Sequence, residues 1–196
     1  MDRVREQLTR PLRQGIAEDL AGCVFEEPLD LAGVRLPNVD LRGAIFKQPV
    51  NLRGACFQGM AWFQDVVFEG QLDLSSAVFA NDARFDGTHF RRSTTFSRAQ
   101  FNGVPCFDHA IFCKAAFLDR MFCSGSLSLQ QARFEAAVSL RDSECYGGVW
   151  AHRAVFLGSL EARGMRIFGR CLLPGGTSLR DGKRNVGETA GTPAIG

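Results

Sequence analysis

Cys106, His109 and Cys113, in the run Cys-Phe-Asp-His-Ala-Ile-Phe-Cys, are the densest set of potential metal ligands in this 196-residue sequence. Thiolate and imidazole donors at close spacing are the chemistry of zinc. A structural zinc site closes with four ligands, however, and no obvious fourth accompanies these three. The two cysteines also belong to successive segments of the pattern set out below, so ordinary surface positions are expected and no metal is. His89, His109 and His152 are isolated from one another along the chain. No glycine-rich phosphate loop, no Ser-His-Asp arrangement in a plausible cleft and no metalloprotease helix joins them. No catalytic or cofactor-binding residue is expected, and the chain reads as a non-enzyme.

What positions these side chains is written in the phenylalanines, 17 of them against one tyrosine. Phe79, Phe85, Phe90, Phe96, Phe101, Phe107 and Phe112 follow one another at alternating steps of six and five, a period of eleven. The rhythm runs back through Leu74, Phe68, Phe63, Phe57, Leu52 and Phe46 to Leu41 and Leu36. It runs forward through Leu118, Cys123, Leu129, Phe134, Leu140, Cys145, Ala151 and Phe156. Two residues before each member stands something small or aliphatic, such as Ala44, Val50, Ala61, Val66, Ala77, Thr88 or Ala110. Neither a helical face, with its i, i+3, i+4, i+7 spacing, nor a plain alternating strand has this period.

Alternate residues of an extended segment share a face, so the small and the large residue point inward and the one between them outward. Only two or three residues separate one inward pair from the next, which leaves no room for a hairpin or a helix. The chain must turn the same way after every unit and wind into an all-β solenoid, each coil burying its neighbour. Phenylalanine suits such a stack better than tyrosine, because a buried hydroxyl needs a partner that a column of rings does not supply.

Val39-Asp40-Leu41-Arg42-Gly43 and Val50-Asn51-Leu52-Arg53-Gly54 resemble the unit A-[D/N]-L-x-x of the pentapeptide repeat proteins. Ala83-Arg84-Phe85-Asp86-Gly87 and Ala99-Gln100-Phe101-Asn102-Gly103 look like its Phe-centred variety. The resemblance covers roughly residues 21–172. It implies a right-handed quadrilateral β-helix with 22 residues per turn and about six to seven coils. The extra residue in alternate units implies that every second corner is wider.

With 23 basic and 21 acidic residues, the totals show neither a nucleic-acid footprint nor an acidic decoy. The seven cysteines follow the ladder rather than a disulfide framework, which points to free thiols, a reducing compartment and a cytoplasmic location. No signal segment and no apolar run of about 18 residues is present, so neither secretion nor a membrane span is expected.

Residues 1–20 differ in kind. Val4, Leu8, Leu12, Ile16 and Leu20 recur every four residues, an amphipathic helix interrupted by Pro11 and Gly15. Its expected role is a cap over the first coil, around Phe25 and Leu31. The alternative is a partner-binding or membrane-surface helix using Arg3, Arg5, Arg10 and Arg13. Residues 173–196 are rich in Gly and polar side chains and are expected to form a flexible tail. The domain plan is thus a cap at 1–20, a β-helix at 21–172 and the tail.

Residues 22 apart stack in one column, so the outward positions can be sorted by face. One column reads Ile45, Val67, His89, Ile111, Arg133 and Val155, a largely β-branched strip suited to strands yet exposed. Outward slots elsewhere hold Trp62, Trp150, Phe117 and Phe122. For the last two a second register exists. A five-residue step after Phe112 would turn Phe117 and Phe122 inward and Leu118 and Cys123 outward. In the other register, Phe117, Phe122 and Ile111 form a hydrophobic patch.

The expected function is a non-catalytic scaffold or protein-binding module, with Trp62, Ile111, Phe117, Phe122 and Trp150 as the candidate partner-binding surface. Nucleic acid is not an expected partner, and a homodimer through a solenoid end is an open option. The family resemblance alone implies an alternative: a DNA-mimicking protein that modulates or protects DNA gyrase. Family members of that kind resemble one another in a strongly acidic surface and a C-terminal dimer element. Residues 22–172 hold 15 acidic against 16 basic residues, which disfavours a mimic of duplex phosphates.

Overall fold

In the computed structural model, Leu8, residues 17–173 and the backbone of Ser178–Leu179 and Arg184–Asn185 are described. Two-residue strands alternate with tight corners along this whole length, and four strands complete each coil. Strands one coil apart pair in parallel, giving four sheets here called faces A to D in chain order. In one central coil, face A is Ala61–Trp62, face B Val67–Phe68, face C Leu72–Asp73 and face D Val78–Phe79. The result is a four-sided parallel β-solenoid of about seven turns.

The corners alternate in width as the repeat spacing implies. Gln64-Asp65 and Ser75-Ser76 turn the chain in two residues, whereas Glu69-Gly70-Gln71 and Ala80-Asn81-Asp82 take three. At every A/B and C/D corner the second residue has positive φ. Asp65, Ser76, Arg98, His109, Arg120, Gln131, Asp142 and Arg153 lie between 54° and 60°. A non-glycine residue there costs about 1 kcal/mol, and the pairing of strands on both sides holds it in place.

The outward Asp or Asn of the repeat unit explains itself at these corners. Asp19, Asp30, Asp40, Asn51 and Asp73 each accept, through Oδ1, the backbone N–H two residues later, at 2.8 to 3.2 Å. The side chain thereby caps the turn that follows its strand. In later coils, corner carboxylates reach across to the next coil instead. Asp108 accepts from the Gln130 N–H and Asp119 from the Arg141 N–H, both at 2.9 Å.

The period is 22 residues except at the first turn. Leu29 pairs with Val50, a step of 21, whereas Val50 pairs with Leu72. The shortfall is at Pro37-Asn38, a two-residue corner where later coils have three.

Inside, the phenylalanines stack coil upon coil. Phe25, Phe46, Phe68, Phe90, Phe112, Phe134 and Phe156 form one unbroken column with centroids 4.4 to 5.6 Å apart. Phe57, Phe79 and Phe101 form a second on face D, which Cys123, Cys145 and Ile167 continue. The ring spacing follows the strand spacing of about 4.8 Å, so register and stacking reinforce each other. Thr88 and Ser143 stand in small inward slots with no exposure. Each donates its hydroxyl to a carbonyl of the coil below, Phe63 O and Leu118 O, at 2.6 Å.

The ends depart from expectation. Ala17–Asp19, within the stretch read as helical, is a strand paired with Asn38–Asp40. Glu18 there occupies the inward register of Val39, so the sheet starts before residue 21. Leu8 is buried against the first coils beside Leu29, Leu31 and Leu36. The rest of the expected helix lies outside the described residues. In the C-terminal tail, Ser178–Leu179 and Arg184–Asn185 are strands that pair antiparallel with Cys171–Leu172 and Arg166–Ile167. Backbone groups left open at a solenoid's last coil provide the template for such pairing. The remainder of 174–196 lies outside the described residues.

Candidate partner-binding surface

Side chains fill the interior of the rod, so anything it recognises must meet the outer columns. The five candidate residues all point outward, yet the corners distribute them over all four faces. Trp62 and Trp150 share face A but stand four coils apart, with Arg84, Cys106 and Ser128 between them. Ile111 lies on face B, Phe117 on face C and Phe122 on face D, all in the coil of residues 105–126. The five do not form one patch. Both tryptophans are half-buried within their column, and only Phe117, at 43 % exposure, is strongly exposed.

Between the two registers for Phe117 and Phe122, the chain takes the one with both rings outside. Leu118 and Cys123 are buried. Thr95 and Ser139 flank Phe117, while Gln100 and Glu144 flank Phe122, all in the 22-residue register. A slip would bury two more rings. It would also break the ladder to the coils above and below, where every strand depends on its neighbour's register.

Phe117 and Phe122 thus straddle the edge between faces C and D, with Asp119 and Arg120 at the corner between them. Next to Phe122, the lone tyrosine, Tyr146, extends the aromatic surface. Its ring lies 5.4 Å from Phe122 and 4.4 Å from Phe168. Tyr146 is 47 % exposed, and its hydroxyl reaches Glu144 at 3.5 Å, so the one aromatic with a polar tip sits where water can satisfy it. Tyr146 and Phe168 were missed in the sequence, although their separation of 22 residues places them in one column. On the other side of the edge, an open groove of about 490 Å³ runs down face C past Asp30, Asn51, Asp73 and Thr95 and ends at Phe117.

Of the three potential zinc ligands, the structure keeps none together. His109 occupies a positive-φ corner, and Cys113 stands beyond the next strand near Glu135. Cys106 instead meets Asp86 and Asp108, their ligand atoms within 4.8 Å of one another. The cluster is turn chemistry. Cys106 Sγ donates to Asp86 at 3.1 Å, as Ser128 Oγ donates to Asp108 at 2.6 Å and Ser139 to Asp119. In each case an outward donor bonds a corner carboxylate of the preceding coil. Arg84 closes on Asp86 with two further bonds, at 2.8 and 3.0 Å.

Burial raises the Asp86 carboxyl, but the hydrogen bonds from Arg84 and Cys106 outweigh it and hold it below the usual carboxylate range. With a lowered folded value, its stabilising contribution is present above about pH 4 and is lost as pH falls through the folded value.

Burial pushes the Cys106 thiol up to about 12 and that of Cys171 to about 11. The hydrogen bond to Cys145, together with burial, also holds the Cys123 thiol well above its usual value. Iodoacetamide at pH 8 is therefore expected to modify Cys106 and Cys171 at least about a hundredfold more slowly in the folded protein than in denaturant, because the thiolate is the nucleophile. Peptide mass spectrometry reads the difference. Comparable folded and unfolded rates at Cys106 would contradict its placement against Asp86.

Stacked parallel coils, a ring-filled core and capped corners of fixed period define a repeat protein whose working surface is its exterior. A family model for pentapeptide repeats (9 copies) matches residues 31–78 and 63–106. Residues 31–106 are thus pentapeptide repeats, and the same four-sided coil continues through the described residues on either side. No curated protein matches the chain. No helix among the described residues is long and apolar enough to cross a membrane.

Proposed function

We propose that this chain is a non-catalytic protein-binding module, in which the C/D edge of the coil 105–126 and the groove on face C form the docking surface. The observation that carries this reading is Phe117, an exposed ring at the end of an open groove on a rod with a filled interior. Phe117, Arg120 and Phe122 around one edge, with Tyr146 beside them, have the composition of a binding hot spot. The seven free thiols are consistent with work in a reducing compartment. Affinity capture from the native cell followed by mass spectrometry, with the wild type and a Phe117→Ser/Phe122→Ser variant side by side, tests the reading. The variant is expected to retain its fold and to lose at least about tenfold in recovery of the specific partner. Undiminished capture would remove this edge from the binding surface.

One observation favours the second reading, a duplex mimic acting on DNA gyrase: the N-terminal coils are acidic, with 10 acidic against 4 basic residues over 17–82. Those carboxylates are spread around the rod, Asp40 on face A, Asp30 and Asp73 on face C and Asp82 at the D/A corner, rather than in phosphate-like rows. The binding-module reading therefore stands first. Inhibition or protection of gyrase at stoichiometric protein in a supercoiling assay would reverse that order.

A further inference from the structure

Two independent features of this rod point at a second copy of itself. The first is face B, whose outward column reads Val24, Ile45, Val67, His89, Ile111, Arg133 and Val155. Five of the seven are β-branched aliphatics and none is a carboxylate, whereas faces A, C and D each present acidic residues in this position. The strip is most open at its ends, with Val24 50 % and Val155 40 % exposed. The second feature is a division of charge along the axis. Residues 17–82 hold 4 basic and 10 acidic residues, a net charge of −6. Residues 83–173 hold 12 basic and 7 acidic, a net charge of +5. Two copies side by side and parallel would set like halves together, and two copies antiparallel would set opposite halves together.

We propose that face B pairs two copies of this chain antiparallel, about a two-fold axis through the coil of His89. That axis sets Val24 over Val155 and Val67 over Ile111, apolar against apolar. It keeps the B/C corners on the same side, which brings Lys47 of one copy to the level of Glu135 of the other, and Glu69 to the level of Lys114. Arg91 at the centre is already neutralised by Glu69 of its own chain at 3.2 Å. Arg133, facing Ile45, is likewise matched within its chain by Glu135 at 3.1 Å. The strip is about 29 Å long at the ~4.8 Å strand spacing and one short strand wide, so the dimer it forms is weak and dissociates on dilution. Face B lies away from the C/D edge, although the face C groove borders the same B/C corners through Pro49 and Gln71.

Sedimentation velocity of the full chain from about 1 to about 100 µM tests it, in the range where small interfaces dissociate. The expected result is a concentration-dependent shift from monomer to dimer. Val67→Glu is expected to raise the dissociation constant at least about tenfold with the circular dichroism unchanged, since the side chain points outward. Lys47→Glu and Glu135→Lys are each expected to weaken the dimer about three- to tenfold, and their combination to restore it to within about threefold. A monomer at every concentration, a dimer indifferent to Val67→Glu, or a double reversal no better than the single ones would each overturn the proposal. The last outcome would exclude this antiparallel register in particular.

Discussion

Phe85→Ala is expected to lower the unfolding free energy by about 4–5 kcal/mol, the largest effect of any single truncation in the rod. Phe85 has no exposed surface and stacks between Phe63 at 4.8 Å and Phe107 at 4.9 Å. Phe79 at 6.0 Å and Phe96 at 5.4 Å meet it edge-on, and Phe90 lies tilted at 6.4 Å. The hole left by the ring cannot collapse, because every neighbour is pinned by its own column and by strand pairing above and below. Phe156→Ala is the comparison. That ring is partly exposed near the end of its column and has one recorded ring partner, Phe134 at 4.9 Å, so a loss of about 1–2 kcal/mol is expected. Urea denaturation followed by circular dichroism measures both. A Phe85→Ala loss below about 1.5 kcal/mol would mean that the stack is looser than its spacing indicates.

Gly148→Ala is expected to cost about 2–5 kcal/mol, and to cost it locally. Gly148 has φ +100°, a conformation that side chains rarely adopt, and a Cβ there would lie 2.1 Å from Arg170 O and 2.8 Å from Arg170 N. The obstruction is backbone, not the end of a flexible side chain, so the last coil must lift away from the one beneath it. In a solenoid each coil holds only its neighbours, and a wedge near one end detaches that end first. Hydrogen exchange is the appropriate measurement. Amides of 149–172 should lose protection while those of 61–126 keep theirs. Uniform loss along the rod would show that the coils unfold as one unit rather than from the end.

These two expectations differ in how far the sequence foretold them. Phe85 is legible as a core ring from spacing alone, because inward and outward alternate along two or three extended residues and the count never drifts. Gly148 is not, since nothing nearby in the chain marks it. What forbids a side chain is Arg170, one coil on. Thr88 and Ser143 are of the same kind. Read locally, they are polar residues in apolar slots, and the carbonyls that satisfy them lie 25 residues earlier, in the coil below. Cys106, read from its spacing as an ordinary surface position, donates a hydrogen bond to a carboxylate 20 residues upstream, which no local pattern announces.

By itself the sequence determined the period, the ladder of core rings apart from the register at Phe117 and Phe122, the alternation of narrow and wide corners, and the absence of room inside. Those follow from local geometry, where side-chain direction repeats every second residue. The tertiary structure decided which outward residues are neighbours. Phe117 joined Phe122 and Tyr146 around one edge, and Trp62 and Trp150 were parted. Neighbourhood on the surface depends on how the turns sum around the axis and on the register between coils, and one residue fewer at Pro37-Asn38 is enough to change it.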